Sequence, residues 1–268
     1  MDAADTTTYL TYGATLVQAI KCSLANCIIF SAILGRAGPL EAFIIALFGT
    51  IGFELNRNLV DLVHFDFGDC YEVFVYGGFM GLIVGALLSI KEKNERTTAL
   101  HHKYTGSFTS VSISFLGALF LFALFPIIVT DPEQGIETEI FTHAGVLAPL
   151  SIWYSMSAAA LVGTAFSILI NGSVVARDMI NCLVAGGVAS CTASLYFTNP
   201  VWAMFLGACA GMLQAIFQRT IEKSFARRKK IINTHSFFLF GFQGLLGATF
   251  ASGFRRMVEY RRDGFEYN

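Results

Sequence analysis

Hydrophobic positions in this chain fall into long, almost unbroken stretches separated by short polar ones. Eight such stretches run roughly 12–35, 39–56, 71–90, 107–129, 142–170, 179–197, 201–219 and 236–254, each bounded by charges, Pro or Asn. About 20 consecutive apolar residues cross a bilayer as a helix. None of the stretches alternates with the two-residue period of a barrel strand, and hydrocarbon cannot satisfy an open backbone. The pattern predicts an all-α integral membrane protein of about eight transmembrane helices. A polar N-terminal segment (1–11) precedes the transmembrane domain (12–254), and an Arg-rich tail (255–268) follows it.

Composition agrees with that reading and narrows the function. Of 268 residues 54% are hydrophobic and only 14% charged, at a mean hydropathy of +0.60, where a soluble domain carries roughly 25% charge. The balance of 18 Lys+Arg against 19 Asp+Glu gives a net charge of -1, which argues against a nucleic-acid partner. Membrane lipids are the expected surroundings. Lys91, Lys93, Arg96 and Lys103 follow the third stretch, Arg177 the fifth, and Arg219, Lys223 and Arg227–Lys230 the seventh, whereas 131–139 has no Lys or Arg. The positive-inside rule then puts the N-terminus outside, or in the intermembrane space of a mitochondrion. Arg255, Arg256, Arg261 and Arg262 break the rule, so the last segment is expected to be re-entrant or its tail held by a partner. The acidic start, Met1–Asp5, has neither the basic opening of a signal peptide nor the Arg-rich pattern of a transit peptide, and an uncleaved chain is expected.

Small residues recur at helix-contact spacing in Gly77, Gly81 and Gly85, in Gly207 and Gly211, and at Gly186 and Gly187. Such positions let helix backbones approach closely. No nucleophile with its base, no paired carboxylates and no His-Glu-x-x-His is present, so an enzyme is not expected. The five histidines and six cysteines lack metal-ligand spacing, and no cofactor is predicted. Asp66 and His235 stand at the edges of apolar stretches, where a polar side chain is costly unless paired or facing a cavity.

Four segments carry a resemblance. The run Phe65-Asp66-Phe67-Gly68 through Gly77-Gly78-Phe79-Met80-Gly81-Leu82 resembles, without a gap, the Phe-Asp-Thr-Gly to Phe-Gly-Leu segment of the Rh/ammonium-transporter family. Ala32-Ile33-Leu34-Gly35-Arg36-Ala37-Gly38-Pro39, Asn181-Cys182-Leu183-Val184-Ala185-Gly186-Gly187 and Ile232-Asn233-Thr234-His235 are similar to that family's further motifs, in the same order. The resemblance implies a partial bundle of the Amt/Rh type, with an apolar pore in which ammonium sheds its proton. Two pore histidines would share a hydrogen bond there, and aromatic residues would gate the entrance.

On that resemblance the remnant pore comprises Asp66, Phe74, Ile128, Asn181 and His235. Phe74 stands where the first pore histidine belongs, so His235 would lack its ring partner. Ile128 stands where the gating phenylalanine belongs. Asn56-Arg57 replaces an Asn-Glu pair, with Glu54 one turn away as a substitute. The resemblance also has the chain beginning near the family's fourth helix and stopping before its last. The reading that follows is a non-conducting, degenerate family member held as an accessory subunit among other membrane-protein subunits, a mitochondrial inner-membrane respiratory assembly being one setting. The competing reading is a working ammonium, ammonia or carbon dioxide channel completed by another chain.

Overall fold

The structure is a computed structural model. It describes residues 3–35, 37–63, 68–92, 108–130, 139–172, 174–197, 199–221 and 234–266. Among them are α1 (Ala3–Ile33), α2 (Pro39–Val63), α3 (Tyr76–Glu92), α4 (Phe108–Val129), α5 (Glu139–Asn171), α6 (Ala176–Ser190), α7 (Pro200–Ile216) and α8 (Gln243–Glu266). No strand occurs among the described residues. Six stretches of the described residues are long and apolar enough to cross a membrane; α7 is apolar but shorter, and α6 reaches crossing length only with the 3-10 turn Ala193–Tyr196 that follows it. The end helices outrun the predicted bounds: α1 begins at Ala3 and α8 runs to Glu266. The last segment is one unbroken rod from Phe237, so the expectation of a re-entrant end is corrected.

Local chemistry sets several helix ends. Asn199 caps α7 by accepting from the Val201 amide at 3.0 Å, with Pro200 in the first turn, where a missing N–H leaves nothing unpaired. Glu41 reaches back to the Gly38 amide at 3.1 Å ahead of α2. Pro126 lies inside α4 and cannot donate to the carbonyl one turn earlier, at Phe122. The Trp153 indole of α5 donates to that carbonyl at 2.7 Å, so the proline break becomes the tie between α4 and α5.

Two triads of helices repeat the same plan. In each, the second helix opens on a proline, Pro39 or Pro200, and the third opens with a six-residue π turn, Cys70–Val75 or Phe237–Phe242, before continuing as α3 or α8. α6 is the fifth helix after α1, so with successive helices crossing in turn the second triad runs opposite to the first, as in an inverted repeat. The triads cross where a Cβ on Gly78 would fall 2.7 Å from the Gly241 Cα. In the second triad α5 lies along both α6 and α7. There Gly207 and Gly211 abut the Ser155 and Ala159 backbones, Gly186 meets Ala159, and Gly187 meets Phe125 and Met156. In the first triad Gly77 and Gly81 abut Ile28 and Ala32 of α1, with Gly85 further along the same seam.

Ahead of α3 the chain turns through Gly68 (φ 77°) and Asp69 (φ 54°). The left-handed conformation is unfavourable for a residue with a Cβ, and here the Asp69 carboxylate is fixed by Lys21 of α1, Nζ to Oδ1 2.8 Å. The core centres on Phe53, Phe74, Phe125, Ile29 and Met156. A second cluster joins α6, α7 and α8 through Ala189, Ala203, Leu206 and Ala251.

Candidate functional site

The π turns bring their aromatic residues to the crossing of the triads. Phe74 is 2% exposed. Its ring stacks on Phe240 at 6.2 Å between centroids and 10° between planes, and meets Phe125 of α4 at 5.7 Å. An α-to-π change adds a residue to the turn and re-aims the side chains that follow, which is how two separate segments present rings to one point.

Beside the stack lies a cavity of about 600 Å³, bounded by α1, α4, α6 and the rings of Phe74, Phe125 and Phe240. Ile128 lines it and is 55% exposed. The two wall serines bond their own helices: the Ser31 hydroxyl donates to the Ile28 carbonyl at 2.6 Å and Ser114 to Ser110 at 2.9 Å. No ionisable carboxylate, imidazole or amine lines it. Such a wall admits apolar matter and gives a cation that has lost its water only ring faces and two hydroxyls, far less than the hydration it replaces.

Of the five remnant-pore residues, Phe74 and Ile128 share this cavity. Asn181 is buried on α6 at 7% exposure, and its Nδ2 has no hydrogen-bond partner among the described residues; its neighbours Ile180 and Val184 line the cavity instead. His235 is half-buried, about a turn ahead of Phe240 on the last rod. Asp66 lies outside the described residues. The ring that Phe74 stacks on is Phe240, which the sequence reading did not single out.

Two polar features were also missed. Asp178, 3% exposed near the start of α6, accepts from the Ser167 hydroxyl of α5 and from Gln218 Nε2 at 3.0 Å, tying three segments at one end of the bundle. Arg57 Nη1 donates to Gln18 Oε1 at 2.9 Å and to Glu54 Oε2 at 3.0 Å, so the replacement at position 57 is drawn into an ion pair with the nearby acid. Among the described residues no group of three His, Cys, Asp or Glu could hold a metal ion.

A sequence profile of the Ammonium Transporter Family matches residues 1–264. The chain belongs to that family. It is 28% identical over 242 residues to the ammonium transporter Rh type B of Rattus norvegicus, 87% of this chain against 50% of that protein. It is 25% identical over 244 residues to the Rh type C transporter of the same species, 87% of this chain against 46% of that protein. The structure of Rh50 from Nitrosomonas europaea, of the Rhesus family of channels, is similar in fold. Its TM-score is 0.72 at 24% identity, covering 86% of this chain and 60% of that one. This family member thus spans about half the length of the curated relatives it matches. It is a multi-pass membrane protein from a family of transporters, with an Rh-type bundle.

Proposed function

We propose that this family member does not conduct ammonium and serves as a membrane-embedded accessory subunit. The observation that carries the reading is the aromatic stack: Phe74 is packed between Phe240 and Phe125 where the two triads cross. A permeating ammonium ion must exchange its hydration for protein acceptors, or give up its proton to one of them. Benzene rings take no proton, and their faces give a desolvated cation an attraction of only about 2 kcal/mol, far less than stripping its water costs.

Stopped-flow measurement of methylammonium and ammonia entry into vesicles holding the purified protein tests this. The expected rate equals that of empty vesicles. A rate above it that falls on His235→Ala overturns the proposal. Phe74→His serves as the counterpart, since an imidazole placed in the stack is the smallest change that offers a proton acceptor at the crossing.

The apolar cavity favours a second reading, passage of a neutral gas such as ammonia or carbon dioxide along the wall formed by Phe74 and Ile128. The same vesicles decide it, because gas entry would then exceed the empty-vesicle rate while methylammonium entry would not. Comparing which polypeptides co-purify in mild detergent from mitochondrial inner membrane and from plasma membrane tests both the accessory role and the compartment.

A further inference from the structure

We propose that the turn ahead of α3 is a binding site for primary ammonium groups, and that this chain fills it with the side chain of its own Lys21. Such a site deepens the non-conducting reading, on which its role rests.

The turn builds the site without help from the lysine. Gly68 is pressed against Cys191 at the end of α6, where an added Cβ would stand 3.0 Å from the Cys191 carbonyl. Asp69 follows at φ 54°, the one residue other than glycine with positive φ among the described residues, and its carbonyl accepts from the Val73 amide at 2.9 Å. The Cys70 thiol then donates to the Gly244 carbonyl of α8 at 3.1 Å, and Asn56 Nδ2 of α2 donates to the Tyr71 carbonyl at 3.4 Å. Contacts with α2, α6 and α8 thus fix the backbone that carries the Asp69 carboxylate, and none of them involves Lys21.

That carboxylate is 10% exposed and heads the membrane-crossing stretch Cys70–Leu88. A charge so placed requires a counter-charge. Lys21 supplies it from within the stretch Thr15–Ile33, Nζ to Oδ1 2.8 Å, its own side chain 14% exposed. Position then gives the pair a role. Leu24 and Ile28, on the same side of α1, are walls of the Phe74 cavity, and Lys21 precedes Ile28 by roughly 10 Å along the helix axis. On the facing segment Asp69 is the residue from which the π turn bearing Phe74 starts. An ammonium ion following this wall needs an acceptor to replace its water, and the carboxylate there is already taken by an ammonium group that cannot leave. The lysine also outlines the ligand. Lys21→Ala keeps Cβ and deletes Cγ, Cδ, Cε and Nζ, the atoms of n-propylammonium.

The test is ligand rescue of Lys21→Ala, as the full chain in detergent, followed by melting temperature and titration calorimetry. The expected result is a saturable rise in melting temperature with n-propylammonium, at an apparent Kd of roughly 1 mM, that restores about half or more of what the substitution lost. Methylammonium should act at roughly tenfold higher concentration, since it fills less of the slot. Tetramethylammonium, which has no N–H donor, propanol, which has no charge, and KCl should not act. Neither the unsubstituted chain, whose site is filled, nor Lys21→Ala with Asp69→Asn should respond. No response of Lys21→Ala to either amine overturns the proposal, as an ion pair with no site beneath it predicts. So does equal rescue by KCl or tetramethylammonium, rescue that survives Asp69→Asn, or an equal response of the unsubstituted chain. If Lys21→Ala does not survive purification, it is purified in propylammonium chloride instead. Monodisperse protein that aggregates when KCl replaces the amine then supports the site, and loss in both salts overturns it. Vesicle flux plays no part in these outcomes, so the non-conducting reading and the ammonium site can fail separately.

Discussion

Removing the Phe74 ring is the perturbation that most directly probes the crossing. In a bilayer or micelle the transfer of a benzene ring out of its surroundings contributes little, because lipid tails are as apolar as the protein interior. What remains is the hole and the lost ring contacts. Phe74→Ala deletes roughly 100 Å³ of side chain, which at about 24 cal/mol per Å³ comes to about 2.4 kcal/mol. The contacts with Phe240 and Phe125 contribute about 0.5–1.5 kcal/mol each, so the expected loss is about 3–5 kcal/mol. Phe74→Leu, which keeps most of the volume, should lose less than about 1.5 kcal/mol. Unfolding the purified protein by SDS titration in mixed micelles, followed by far-UV circular dichroism, measures each variant. Phe240→Ala alone and combined with Phe74→Ala gives the coupling, expected at about 0.5–3 kcal/mol for residues in contact. A Phe74→Ala loss below about 1 kcal/mol, or additive behaviour with Phe240→Ala, would show that the rings are not packed as a plug. The case against conduction would go with it.

Other substitutions probe the rest of the framework. Gly207→Leu drives a side chain into the Ser155 backbone and should abolish the monodisperse peak on size exclusion in detergent, whereas Gly253→Leu, with nothing within 4 Å of its added Cβ, should leave it intact. Lys21→Met breaks the 2.8 Å pair with Asp69 and should lose about 3–5 kcal/mol in the same titration; adding Asp69→Asn should recover part of that loss. Asp178→Leu takes away the acceptor of Ser167 and Gln218 and should lose about 1–3 kcal/mol, with Asp178→Asn retaining more stability than Asp178→Leu.

The helices were legible because a run of about 20 apolar residues allows few alternatives in lipid. The π turns were not: Cys70–Val75 and Phe237–Phe242 are as apolar as the helices they open, and hydropathy does not distinguish four residues per turn from fewer. The shortness of α6 was hidden for the same reason, since Cys191–Tyr196 continues the small and apolar pattern past the helix end. Phe74 and Ile128 could be singled out through the resemblance. Their company could not, because Phe240 lies 166 positions beyond Phe74 and only the crossing of the triads joins them. Similarly, Arg57 was read as a lost acid; that it clasps Gln18 across 39 positions depends on how α1 and α2 lie together. The burial of Asp178 is also tertiary, set by Ser167 and Gln218 arriving from either side.

The near-contact of Gly78 with Gly241 bears on how this chain can diverge. Even a methyl group at position 78 would strike the opposite backbone, so no other amino acid fits there unless the two rods part. At the neighbouring aromatic positions the contact is between side chains, so there a change of residue can be met by a change of its partner without moving either backbone.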